Sequence, residues 1–101
     1  MHALHIALQE GFAHDAVVVS IDGEPVYRAE NISTRRPPGL AAFFYVTIVK
    51  GSHAVEVRTR KRGLPRYLQT LDIDAETWLG VSMRRDGQLD VHVATKPFNY
   101  M

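Results

Sequence analysis

A chain of 101 residues is the size of one domain, and surface-to-volume scaling lets it bury roughly 65% of the surface its unfolded form exposes. With 46% hydrophobic and 23% charged residues it is not composed like a disordered chain, and without cysteine it has no disulfide, thiol nucleophile or Cys-based zinc site. A net charge of +1, from 12 basic against 11 acidic side chains, points away from a surface that coats nucleic acid.

The first periodic segment is Leu4/Ile6/Leu8, apolar at every second position as a half-buried strand requires. His2 and His5 flank it at i, i+3 and point to opposite strand faces, so they chelate together only if the N-terminus is irregular. The segment has no basic region followed by an apolar run of secretory-leader length, and no stretch of the chain approaches the ~20 apolar residues of a membrane span. The expected setting is the cytoplasm, with no membrane contact.

Val17/Val19/Ile21 forms the second strand, and Asp22-Gly23-Glu24-Pro25 is expected as a four-residue loop pairing Ile21 with Val26, with Pro25 inside the turn because it cannot donate to a ladder. Residues Asn31 to Gly39 then read as a long loop. Pro37 and Pro38 lack amide donors, and the loop is expected to cross between sheets.

Phe44/Val46/Ile48 alternates next, followed by Lys50-Gly51-Ser52-His53 and then Val55/Val57. Gly at the first central position suits a two-residue type II′ hairpin, which pairs Ile48 with Val55 and Val46 with Val57 on the core face. The opposite face then sets Thr47 against Glu56, Tyr45 against Arg58 and Phe43 against Arg60. Two aromatics opposite two guanidiniums are unusual on a solvated face. Either the arginine stems cover the rings in local cation–π pairs, or Phe43, Tyr45, Arg58 and Arg60 form an interface, since aromatics and arginine are enriched at contacts.

Between Glu56 and Asp72 there is no acid, while Arg58, Arg60, Lys61, Arg62 and Arg66 fall in that interval. The locally positive loop suits a weak anion or single-stranded nucleic-acid contact through Arg60, Lys61, Arg62 and Arg66, with Tyr67 as the one ring nearby for stacking. Asp72 and Asp74 share a strand face but lead into a turn, where adjacent acids are ordinarily solvated and not catalytic. The segment Asp74 to Leu79 is at most a turn of helix before the next strand.

The last two strands, Leu79/Val81/Met83 and Leu89/Val91/Val93, flank Arg85-Asp86-Gly87. A three-residue loop with Gly87 left-handed pairs Met83 with Leu89, Val81 with Val91 and Leu79 with Val93, whereas a two-residue turn sets Met83 against Asp90. The other face then carries Ser82/Asp90, Gly80/His92 and Trp78/Ala94. Trp78 and His92 are candidates for a flat ledge of the kind sugar-binding modules use, against the commoner alternative of a Trp packed under a loop. Asp90 and His92 share a face and, joined by His53 or His14, supply three metal ligands or a small His/Asp enzyme site. Nothing in the sequence brings those histidines together, so no metal and no cofactor is assigned. No serine has a Gly-x-Ser-x-Gly elbow, so no catalytic residue is assigned either.

The chain as a whole reads as one all-β domain over 1–101, a small antiparallel sandwich of about seven or eight strands. Its middle resembles the transthyretin-like (prealbumin-like) sandwiches, including the carboxypeptidase regulatory-like domains. The matching residues are Val17-Val18-Val19-Ser20-Ile21-Asp22-Gly23, Thr34, Gly39, the Phe43-to-Val49 strand and Gly51-Ser52-His53-Ala54-Val55-Glu56-Val57. The last of these is similar to the family's Gly-x-Tyr/His-x-Val-x-Val strand. An immunoglobulin-like sandwich presents much the same pattern. The likeness covers roughly the first two-thirds and implies a non-catalytic module for interaction, oligomerisation or ligand binding. No functional residue of that family maps onto this chain. The expected function is an interaction or scaffold module that is homo-oligomeric or binds another protein.

Overall fold

The computed structural model describes residues 1–35, 39–59 and 66–97. Eight strands follow one another: β1 (His2–Leu8), β2 (Asp15–Ile21), β3 (Glu24–Ile32), β4 (Ala42–Ile48), β5 (Gly51–Thr59), β6 (Arg66–Ile73), β7 (Thr77–Met83) and β8 (Leu89–Ala94). They form two four-stranded sheets, the first in the order β4-β1-β7-β8 and the second β3-β2-β5-β6. No helix occurs among the described residues, and none is therefore long and apolar enough to cross a membrane.

Alternation makes this core. Leu4, Ile6 and Leu8 of β1 and Leu79 and Val81 of β7 face Val17, Val19 and Ile21 of β2 and Val55 and Val57 of β5 across the sheets, joined by Phe12 and Ile73. All are buried, and taking each of these apolar side chains out of water contributes ~1.5–3 kcal/mol. At one open side Tyr27 of β3 and Phe44 of β4 stack with centroids 4.3 Å apart and planes 3° from parallel, bridging the two sheets.

The β7–β8 hairpin has the expected register: Met83 faces Leu89, Val81 faces Val91 and Leu79 faces Val93. Arg84 and Gln88 close a three-residue loop through a 2.8 Å amide-to-carbonyl bond, and Gly87 sits at φ +88°. A Cβ is strained there, so the turn depends on glycine.

Two other expected registers are corrected. Ile21 pairs with Glu24, not Val26, so the β2–β3 turn is Asp22-Gly23 alone, with φ of 53° and 82°. Pro25 lies inside β3 opposite Ser20, and it is tolerated because β3 is an edge strand where one side of the ladder needs no donor. The larger correction concerns β4 and β5, which are not a hairpin: β4 pairs with β1 (Tyr45 with His5, Phe43 with Ala7), and β5 pairs with β2 and β6. The chain crosses from one sheet to the other at Lys50-Gly51. Both arrangements put Ile48 and Val55 against the core, because period-two alternation sets which face is buried and not which strand is the neighbour. The crossing is held by His53, whose Nε2 lies 2.7 Å from the Val49 carbonyl oxygen. One more pair departs from the antiparallel rule: β1 and β7 run parallel.

Candidate functional site

Because Leu4, Ile6 and Leu8 point inward, Ala3, His5 and Ala7 point out. Register then builds the outer face of the first sheet in rows. One row runs Tyr45, His5, Trp78, Ala94 across four strands, and the next runs Phe43, Ala7, Gly80, His92. Phe43 is 74% exposed and Tyr45 65% exposed.

His5 joins the two ends of this face. Its imidazole lies on the Trp78 indole with centroids 4.8 Å apart and planes 5° from parallel, and it leans on the Tyr45 ring at 5.8 Å. Its Nε2 is 2.6 Å from Glu76 Oε2, just before β7, which fixes the ring's orientation. Where the row steps to Ala7 there is no bulk, and a hollow of about 300 Å³ opens beside Phe43 and Trp78, with Leu40 and Pro97 on its rim. It is at the small end of the range for ligand sites.

Two groups of residues that the sequence suggested separately are thus one surface. Phe43 and Tyr45 lie on the same face as the Trp78 ledge, and Tyr45 has His5, not Arg58, as its register partner. Arg58 is on the other sheet, its position flanked by Val18 and Arg66, so the expected Tyr45/Arg58 pair does not form, and the register partner of Phe43 is Ala7. Arg60, Lys61 and Arg62 lie outside the described residues, and Arg66 is placed only by its strand register.

The expected neighbours of Trp78 and Gly80, Ala94 and His92, are in place. His92 is open to solvent and its Nε2 lies 3.7 Å from Asp90 Oδ2. Neither His53 nor His14 completes a site there: His53 is bound to Asp22 and Val49, and His14 Nδ1 lies 2.7 Å from Asn31 Oδ1. Among the described residues no three His, Asp or Glu side chains converge as metal ligands. Asp72 accepts a 2.6 Å hydrogen bond from the Ser52 hydroxyl across the β5–β6 ladder.

The sequence reading missed His5 as a platform residue and Ala7 as the floor of the hollow. Outward alternation in β1 was the available signal for both, but it identifies neither β4 nor β7 as the neighbour. Comparison with protein-family models, with curated proteins and with solved structures finds no match.

Proposed function

We propose that the chain is a non-catalytic interaction module that associates with a second copy of itself through the outer face of the first sheet. The observation that carries this is the pair of exposed rings, Phe43 and Tyr45, side by side on β4 and continued by His5 to Trp78. From β4 to β7 the two rows hold no Asp, Glu, Lys or Arg, and the Glu76 carboxylate beside them is bonded to His5, so little charge repulsion opposes a two-fold contact. Apolar rings left wet are unfavourable, and a copy of the same face is always at hand. The transthyretin-like resemblance supports a non-catalytic role in the same sense, and a cytoplasmic setting is part of the proposal.

Sedimentation velocity across the micromolar range tests it. The mass is expected to rise from one chain towards two with concentration, and Phe43→Ser is expected to hold it at one. A wild-type chain that stays monomeric at the highest concentration overturns the reading.

The hollow favours a second reading, in which the partner is a flat ring, such as a sugar, seated over Ala7 between Phe43 and Trp78. Quenching or a blue shift of the single tryptophan on adding an oligosaccharide, lost in Phe43→Ser, distinguishes this reading from self-association.

A further inference from the structure

The opposite outer face has a different chemistry. Val17, Val19 and Ile21 fill the core, so Ala16, Val18 and Ser20 line the outside of β2, in the middle of the second sheet. Register sets Arg28 of β3 on one side of Val18 and Arg58 of β5 on the other. With strands about 4.8 Å apart, two guanidinium stems rise roughly 10 Å from each other over one valine. Arg66 continues the same row as a register position on β6.

A groove of about 350 Å³ follows β2 between them, with Arg28, Arg58, Ser20, Glu30 and Glu56 in its walls and floor. Neither Arg28 nor Arg58 is in an ion pair or side-chain hydrogen bond among the described residues.

We propose that this groove is a binding site for one oxyanion group, phosphate, sulfate or carboxylate, carried on a small neutral body, with Arg28 and Arg58 closing on it from both sides. Two forked guanidinium side chains lining one groove from either side of Val18 match the acceptor chemistry of such a group, and bridging them relieves their mutual repulsion. The small floor of Ala16, Val18 and Ser20 leaves the space, and the Ser20 hydroxyl supplies a further donor at its end. Size sets the rest of the ligand, since the groove is larger than a bare phosphate needs. Glu30 and Glu56 also line the groove, and with one arginine on each side of Val18 it offers a place for a single oxyanion and not for the run of phosphates in a nucleic-acid strand. A second copy of the chain is also disfavoured: two such faces with their rows aligned place arginine on arginine.

Amide and arginine side-chain NMR shifts, followed during titration with glycerol 3-phosphate, inorganic phosphate, acetate and glycerol, provide the test. The expected result is saturable shifts at Val18, Ser20, Arg28 and Arg58 with the three anions, strongest for glycerol 3-phosphate and absent for glycerol. Phosphate binding stronger than acetate assigns the site to phosphoryl groups, and the reverse assigns it to carboxylates. Arg28→Gln and Arg58→Gln are each expected to weaken binding about tenfold, with Arg28→Lys intermediate because the charge remains and the fork is lost. The side chains are exposed, so the variants keep the wild-type melting temperature, and Arg28→Lys preserves the test should a Gln variant fold poorly. Shifts scattered over the surface or confined to residues 60–65, or Gln variants that bind like wild type, overturn the proposal. So does a ten-residue oligothymidylate that binds more tightly than glycerol 3-phosphate.

Discussion

The two outer faces of this sandwich are built on the same scaffold and are near opposites. At the middle of the first sheet the row across the strands reads Phe43, Ala7, Gly80, while in the second it reads Arg28, Val18, Arg58. In both, a small residue on a central strand lets larger neighbours from the flanking strands lean over a hollow. What the walls are made of decides the partner. Rings and methyl groups suit a contact driven by water release, which high salt leaves intact, and guanidiniums suit an anion, whose hold salt screens.

The largest expected effect is the one that makes the first face resemble the second. Tyr45→Glu puts an unpaired charge among Phe43, His5 and Trp78, and desolvating it in a self-contact costs about 3 kcal/mol, a hundredfold in affinity. Sedimentation of this variant is expected to show monomer where the wild type dimerises, with an unchanged melting temperature. Arg58→Ala is expected to leave the dimer as it is. Raising the salt from 0.05 to 0.5 M, which shortens the Debye length from above ~10 Å towards ~3 Å, is expected to weaken phosphate binding several-fold and to leave self-association unweakened. If both variants dissociate the dimer equally, the two faces do not have separate roles.

How far the sequence led to these faces depends on which physical constraint wrote them. Core positions were readable, because Leu4/Ile6/Leu8, Val17/Val19/Ile21 and Leu79/Val81 must alternate wherever their strands lie. The β7–β8 register was readable too, because a local loop with a left-handed glycine allows one pairing that keeps Leu89, Val91 and Val93 opposite apolar partners. Strand neighbours distant in sequence were not readable. Nothing in Phe43-Phe44-Tyr45 indicates that β1 lies beside it, so alternation matches the aromatics to the nearest downstream strand and leaves Arg28 unmarked. The two outer faces are made by those long-range pairings, so a sequence with only local pairing signals marks their residues singly and does not group them.

A smaller effect separates the sheets by stability. Gly87 lies at φ +88° with open space where its Cβ would go, so Gly87→Ala incurs only the backbone cost of about 1–2 kcal/mol. The loss falls on the edge hairpin of the first sheet. Hydrogen exchange is expected to speed up at the β8 amides, with β5 and β2 protection reduced by no more than the global change. An unchanged or raised melting temperature contradicts the left-handed turn. Gly11 marks the contrast: it also has positive φ, 86°, but a Cβ there runs into the Met83 backbone carbonyl, so Gly11→Ala is expected to cost more than Gly87→Ala in the same melt.

The smallest effect belongs to the second sheet and is a matter of pH. His53 points into the end of the sandwich, buried, with Nδ1 2.7 Å from Asp22 Oδ2 and Nε2 2.7 Å from the Val49 carbonyl oxygen. Both partners are acceptors, so only the imidazolium donates to each. The bond to Asp22, and then that to Val49, holds the His53 pKa above its ordinary 6.5. The same bond, with the Ala54 amide 2.9 Å from Oδ1, holds the Asp22 carboxyl below its ordinary 3.8. A raised histidine stabilises fully below 6.5 and loses that contribution as pH climbs through its folded value, and a lowered aspartate stabilises above 3.8 and loses it as pH falls through its folded value. The latch is therefore strongest from about 3.8 to 6.5. Asp22 is more than half exposed, so water screens the pair and the effect is modest. His53→Gln keeps one donor but carries no charge. The gap in melting temperature between wild type and His53→Gln is expected to be wider at pH 5.5 than at pH 8.5, and deprotonation is expected to speed exchange of the amides of Asp22, in the β2–β3 turn, and of Ala54, beside it on β5, while β7 and β8 stay protected. A gap of equal size at the two pH values means that His53 holds the crossing as a neutral ring, and the pH dependence of the chain then has to come from another group.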